Sequence, residues 1–372
     1  MITQYPRTLF VLKFRENPYD GAEKENGNWG DGGDGKTPLS SGLFNSARMV
    51  AEMLEQKGVP VKLVHVIDAN FIHREIVAFK AEVVVIEAFW VVPAKFEELL
   101  RVCPKVKFIV RNHSEVPFLA NEGIAFDWML KYAKQPNVYM SCNAPRMLEE
   151  SRFLIGKENP EWDEATLTRK VPYLPNYYPT DSCPEFGKAI DLNSEFVNVG
   201  CFGAVRPLKN TMLQAIAAMA FATKINKRLR FHINGGRIEM GGSPILKNLF
   251  LLFSHFPEYE LINHPWKTHK QFKEIVASMD VVSQVSFSET FNIVAADAVV
   301  QNVPTITSDE ITWSAPEFRA EPTSSLDIAD TLYRAYMSRL EDPSRNPSLF
   351  GLEQYNKDSV REWLPYIASF KA

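Results

Sequence analysis

Glu289 and Asp297 stand eight positions apart in the stretch Phe287-Ser288-Glu289-Thr290-Phe291-Asn292-Ile293-Val294-Ala295-Ala296-Asp297-Ala298, where a polar loop gives way to an apolar helical run. At 1.5 Å per residue a helix would set the two acids about 12 Å apart. Carboxylates at that separation suit a long ligand with hydroxyls at both ends. The N–H groups of Thr290, Phe291 and Asn292, read as the helix N-terminus, suit an anionic group between them. A second segment, Gly200-Cys201-Phe202-Gly203-Ala204-Val205-Arg206-Pro207-Leu208-Lys209-Asn210, offers two cations after two glycines. Gly203 lets the backbone approach a ligand, and Arg206 and Lys209 can neutralise a diphosphate. The plain alternatives are a helix-start acid, a solvated helix acid and solvated basic loop residues.

Other chemistry-bearing residues follow other predicted strands. Asn234 and Gly235 end one, and Trp266 follows another with a face that can stack on a planar base. In the first half, Glu87, His113 and Glu115 sit at strand ends, and Gly42 opens a helix after a glycine-rich stretch. Each also has a bland reading as a strand-end polar residue, a half-buried aromatic or a helix-start glycine. No Asp-x-Asp occurs, and the four cysteines form no metal-ligand spacing, so neither a metal nor a cofactor is expected. No nucleophile elbow or Walker loop is present.

The elements that must position these residues alternate. Strands are predicted at 8–13, 59–68, 81–86, 106–110 and 137–140. Helices are predicted after Ser40 or Ser41 as N-cap, with Leu43, Ala47, Val50 and Leu54 on one face and Gly58 closing it, then at 94–102, 124–134 and 145–155. The polar, glycine-rich residues 15–41 between the first strand and helix read as a lid, a binding loop or a disordered segment. A proline-rich stretch follows, and a second series begins: strands at 195–199, 229–233, 259–262, 280–283 and 304–307, helices at 211–223, 245–254, 270–278, 291–300, 326–340 and 357–370. Apolar strands separated by helices mean parallel sheets covered on both faces. The expectation is α/β: two doubly wound Rossmann-like domains facing each other across a cleft. Their bounds are 1–176 (acceptor side), a linker at 177–194, 195–355 (donor side), and a C-terminal helix at 356–372 crossing back to the first domain.

These motifs resemble the GT-B retaining glycosyltransferases of group 1 (family 4), whose pattern E-x-F-G-x-x-x-x-E-A-x-x-x-G-x-P is met by Glu289, Phe291, Asp297, Ala298 and Pro304. Asn292 and Asn302 replace its two glycines, and Asp297 its second glutamate. Arg206 and Lys209 resemble the family's phosphate-contacting pair, Leu174-Pro175-Asn176 its signature before the linker, and His113 a histidine near the reacting sugar carbon. The resemblance implies a nucleotide-diphosphate sugar donor, UDP-sugar first, held by Gly203, Asn234, Gly235, Trp266, Thr290, Phe291, Asn292 and Asp297. Catalytic roles fall to His113, Glu289, Arg206 and Lys209, and acceptor contacts to Glu87, Glu115 or Gly42. It implies metal-independent transfer with retention. The Arg206–Asn210 segment also resembles bacteriophage-encoded transferases, which makes hydroxymethylated pyrimidines in DNA a candidate acceptor. A sugar-nucleotide 2-epimerase and a non-catalytic sugar-nucleotide-binding protein share the expected fold and stay open.

Composition sets outer bounds. With 372 residues, 45% apolar and 23% charged, the chain suits two soluble globular domains. A net charge of -4 supplies no global field for nucleic acid. The opening residues lack a leader pattern and no run is long enough to span a bilayer, so a cytoplasmic protein is expected, with no membrane insertion.

Overall fold

A computed structural model describes residues 4–13 and 42–371. The glycine-rich stretch 15–41 and the expected caps Ser40 and Ser41 lie outside the described residues. The chain divides into two compact units: one holds the N-terminal residues, Gly42–Pro179 and the chain from Tyr355 onward, and the other holds Thr180–Gln354.

In the first unit, β1 (Thr8–Lys13), α1 (Gly42–Gln56), β2 (Val61–Val66), α2 (Ile72–Phe79), β3 (Val83–Glu87), α3 (Pro93–Val102), β4 (Lys107–Asn112), α4 (Val116–Leu119), α5 (Ala125–Lys134), β5 (Val138–Cys142), α6 (Pro145–Glu158) and α7 (Glu164–Lys170) follow in order. The five strands form one parallel sheet, β2-β1-β3-β4-β5. Side chains of a strand point alternately to its two faces. Accordingly Leu9, Val11, Val84, Ile86, Phe108 and Val110 enter one apolar layer, while Phe10, Leu12, Val83, Val85 and Ile109 enter the layer on the opposite face. Trp363 and Ile367 complete that second layer.

The second unit holds β6 (Phe196–Gly200), α8 (Thr211–Lys224), β7 (Arg228–Ile233), α9 (Ser243–Ser254), β8 (Tyr259–Asn263), α10 (His269–Ala277), β9 (Val281–Gln284), α11 (Ile293–Val300), β10 (Thr305–Thr307) and α12 (Ser325–Glu341). Its parallel sheet runs β10-β9-β6-β7-β8. Strand order reverses between β6 and β9, which are hydrogen-bonded neighbours although three crossovers apart in sequence. Crossover helices leave such a switch point open at the carboxyl ends of the strands, where ligands bind in doubly wound sheets. The loops after β6 and β9 are those carrying Arg206, Lys209 and Glu289. In the first unit the equivalent point lies between β1 and β3, and Glu87 ends β3 there.

Five elements differ from expectation, of which α4 and α7 were not read from the sequence at all. Helix α2 was not read either, although Ile72 and Ile76 form a buried i, i+4 pair. The last helix, α13 (Pro347–Ala368), begins ten residues earlier than expected and carries Pro365 inside it. Helix α11 starts at Ile293 rather than 291, because Asn292 is its N-cap, with φ 58° and its side chain accepting from the Ala295 N–H at 3.0 Å. Glu289 therefore lies off the helix, and the 1.5 Å rise does not measure its separation from Asp297.

Asn292 and Asn302 both have positive φ, 58° and 52°. The resembled pattern has glycine at both places, and asparagine is the residue that next best tolerates this left-handed conformation. Asn292 adds what glycine lacks, the cap on α11 and a hydrogen bond from its Nδ2 to Gln284 Oε1 at 3.0 Å. Asn292→Ala loses the cap and strains the backbone, so urea unfolding is expected to show a loss of about 2 kcal/mol, with Asn292→Gly costing less. Equal losses for the two variants would remove the backbone explanation.

Candidate functional site

Lys209 Nζ donates to Glu289 Oε1 at 2.5 Å, and Arg206 Nη2 lies 3.7 Å from the same oxygen. Arg206 Nη1 also donates to Glu239 Oε2 at 3.2 Å, and Arg237 Nη2 pairs with Glu239 Oε1 at 2.5 Å. The Arg237 guanidinium in turn lies over the Trp266 ring, 5.4 Å from its centroid. Cations and anions thus alternate along one line, Lys209, Glu289, Arg206, Glu239, Arg237, ending on an aromatic face. Side-chain exposures of 8% for Glu289, 13% for Lys209 and 19% for Arg206 place the three where a ligand can reach them and where charge interactions are stronger than in bulk water.

Two glutamines lock the loops together. Gln284, the last residue of β9, donates from Nε2 to Phe202 O at 3.1 Å and accepts from Asn292. Gln214 of α8 donates to Lys209 O at 2.8 Å and accepts from the Val285 N–H at 2.9 Å. The Phe287 N–H donates to Leu208 O at 2.9 Å, so the loops also share a backbone bond. Gly203, at φ 117°, is held by its N–H donating to Asn234 Oδ1 at 2.6 Å. Gly242 permits a close approach from the other side: a Cβ there would lie 2.0 Å from Val205 O. That contact brings the strand-like residues carrying Arg237 and Glu239 against Val205.

The expected site residues divide accordingly. Arg206, Lys209 and Glu289 come together, with Gly203 beside Lys209. Asn234 acts through Gly203, and the Gly235 N–H is spent on Asn263 Oδ1 at 2.8 Å. Thr290 is half-buried next to Glu289. Phe291 is buried against Trp313, whose Nε1 donates to Phe291 O at 2.8 Å, so its ring supports the loop rather than facing a ligand. Asp297 is 2% exposed and accepts from His269 Nε2 at 2.5 Å; the carboxylate expected to grip a ligand is covered by an imidazole. Glu239, Arg237, His269, Gln214 and Gln284 were not found from the sequence. Only the run Gly235-Gly236-Arg237, at a predicted strand end, offered a signal for any of them.

His113, Glu87 and Glu115 belong to the first unit. Glu87 is fully buried, Arg111 Nη1 donates to its two oxygens at 3.3 and 3.4 Å, and His113 Nε2 donates to it as well. Burial alone would raise the Glu87 carboxyl, but Arg111 and His113 outweigh it and hold it below the usual range. Burial, reinforced by Arg111, lowers His113 against the pull of Glu87. Glu87 therefore orients His113 and presents no surface for an acceptor, correcting the contact expected of it. Arg111 is itself fully buried, donating to Leu174 O at 3.2 Å and Asn176 Oδ1 at 2.5 Å, with its guanidinium over the Trp363 ring. The Leu174-Pro175-Asn176 signature is the seat of this arginine. Glu115 is buried with Arg146 Nε donating to it at 3.3 Å, and Gly42 is the first residue of α1.

Among the described residues, no group of three or more His, Cys, Asp or Glu side chains is arranged to hold a metal, and no helix is long and apolar enough to cross a membrane.

No protein-family model matches the chain, and no curated protein sequence does. Solved structures match across both units. The sucrose-phosphate synthase of Thermosynechococcus elongatus superposes with a TM-score of 0.61 at 12% identity, over 97% of this chain and 96% of that one. The N-terminal domain of trehalose-6-phosphate phosphatase from Candida albicans gives 0.63 at 10% identity, over 100% and 96%. TarM of S. aureus, solved with UDP and alpha-GlcNAc-glycerol, gives 0.53 at 13% identity, over 77% and 55%, so this chain spans about half the length of TarM. The fold is that of the GT-B glycosyltransferases. Likeness at these identities establishes architecture, while chemistry rests on the site.

Two outcomes follow from the buried charges. Glu87→Gln leaves the Arg111 charge buried without its counter-ion, and urea unfolding is expected to show a loss of about 3 kcal/mol; an unchanged stability would mean Arg111 is not held by charge. His232 Nδ1 meets His264 Nε2 at 2.9 Å, and burial followed by His264 lowers His232 from 6.5 to about 4. Arg230 and Lys188 add to the lowering and Asp280 opposes it. The unfolded chain then binds more protons than the folded one between pH 6.5 and 4, so stability falls as pH drops through that window. In His232→Asn the urea midpoint is expected to fall less steeply over the same range.

Proposed function

We propose that the protein is a glycosyltransferase that takes a sugar from a nucleotide-diphosphate donor held in its second unit. The observation that carries this reading is the convergence of Arg206 and Lys209 on Glu289 at the β6–β9 switch point. Glu239 supplies a second negative charge on Arg206, and the Glu289 carboxylate bridges both cations. A diphosphate takes over that role as it enters, which frees the carboxylate to accept from hydroxyls of the transferred sugar. As the bond between the anomeric carbon and the leaving phosphate oxygen breaks, negative charge grows on the diphosphate, and the two cations stabilise it where it develops. Charge supplied by side chains lets leaving-group departure proceed without a metal ion.

The stereochemistry and acceptor are finer proposals and rest on the motif resemblance. In the retaining course, the acceptor hydroxyl attacks from the face the phosphate leaves and passes its proton to that phosphate. His113, whose ring is hydrogen-bonded to Glu87, is the first unit's candidate for a contact near the reacting carbon. A UDP-sugar is the first donor to test, a choice supported by the UDP bound in TarM. DNA carrying hydroxymethylated pyrimidines is the first acceptor class to test.

Thermal-shift screening against UDP-, GDP-, ADP- and TDP-sugars is expected to identify one donor series, since a ligand bound by the native state raises apparent stability. With that donor and a productive acceptor, Arg206→Ala and Lys209→Ala are each expected to lower kcat by about 10²-fold or more, with turnover persisting in EDTA. Near-normal turnover in both variants would sink the assignment. Conversion of donor alone to another sugar nucleotide would indicate an epimerase, and donor binding without turnover a binding protein.

A further inference from the structure

Asp297 lies on α11, 2% exposed, and the residue covering it is His269, the first residue of α10. A carboxylate only accepts, so the 2.5 Å contact puts a proton on His269 Nε2 and leaves Nδ1 as the ring's other polar atom. His269 keeps 15% of its side chain exposed, and Nδ1 has no hydrogen-bond partner among the described residues.

The surroundings make this a built position. Helix α10 opens with a reciprocal capping box, Thr268 with Gln271, which fixes where its first residue points. Helices α10 and α11 pack together through Phe272, Ile275, Val276, Val294 and Ala298, and the same apolar cluster takes in Phe202 from the loop that carries Arg206 and Lys209. His269 opens α10, three residues beyond Trp266 in the chain. Asp is one methylene shorter than Glu, and an imidazole stacked end-on to it restores the lost reach and replaces a carboxylate oxygen with a nitrogen acceptor.

We propose that His269, oriented by Asp297, is the residue that binds a ribose hydroxyl of the nucleotide donor, with Nδ1 accepting from that hydroxyl. Asp297 is then a positioning residue that never touches the ligand. This rests on the donor reading above and names a contact within it.

The test compares UDP with 2′-deoxy-UDP and 3′-deoxy-UDP by isothermal titration calorimetry, with GDP and ADP and their deoxy forms if UDP does not bind. Wild-type protein is expected to prefer the ribonucleotide over one deoxy form by about tenfold, the scale of one hydrogen bond. His269→Ala is expected to lose that preference, binding the ribonucleotide about tenfold more weakly and the deoxy form unchanged. His269→Asn, which keeps an acceptor at shorter reach, and an unchanged urea midpoint guard against a folding defect. A His269→Ala protein that still discriminates as wild type overturns the proposal and leaves the donor reading standing. A wild-type protein that binds none of the nucleotides overturns both.

Discussion

A single carboxylate placed between two cations governs the second unit. Glu289 reaches Lys209 and Arg206 only because the chain reverses its strand order between β6 and β9, which makes neighbours of two loops eighty residues apart in sequence. Everything around the triad serves to keep those loops in register. Gln214 and Gln284 bind both of them, Gly203 gives the turn that presents Lys209, and Glu239 holds Arg206 from the far side. Lys209, Arg206 and Glu289 are only slightly exposed, and Glu239 adds the second negative charge that two cations require.

The first unit is organised by a different buried charge. Arg111 is surrounded by Glu87, Asn176, the Leu174 carbonyl and the Trp363 ring, and a guanidinium in such a place is tolerated because each of its three nitrogens donates a hydrogen bond and a carboxylate balances its charge. Glu87 in turn accepts a hydrogen bond from the His113 ring, so this buried charge cluster reaches the end of β4.

The two asparagines at positive φ show how a motif can be kept while its letters change. The backbone conformation at 292 and 302 is the constraint, and asparagine meets it while adding side-chain bonds: Asn292 to Gln284 and the Ala295 N–H, and Asn302 to the carbonyls of Pro184 and Glu185. A match judged by residue identity counts these as departures. Judged by dihedral angle, both adopt a conformation that glycine also reaches without strain.

Local pattern in the sequence determined the elements and their class. Alternation of apolar strands and amphipathic helices is a property of each segment, and it already implied two parallel sheets, one per half. The spacing of Glu289, and of Arg206 with Lys209, was legible for the same reason, since each lies within a single strand-end loop. What the sequence left open was every relation between segments. The start of α11 moved to Ile293 because a side-chain cap, not the apolar run, ends the loop. Asp297 passed from ligand contact to a buried partner because α10 lies against α11, and Glu87 became a buried counter-ion because β3 and β4 are neighbours in the sheet. Hydrogen bonds and ion pairs act over about 3 Å of space, whereas sequence separation carries no such distance. Partners such as Glu239 for Arg206 or His269 for Asp297 were therefore decided only when the tertiary structure brought them together.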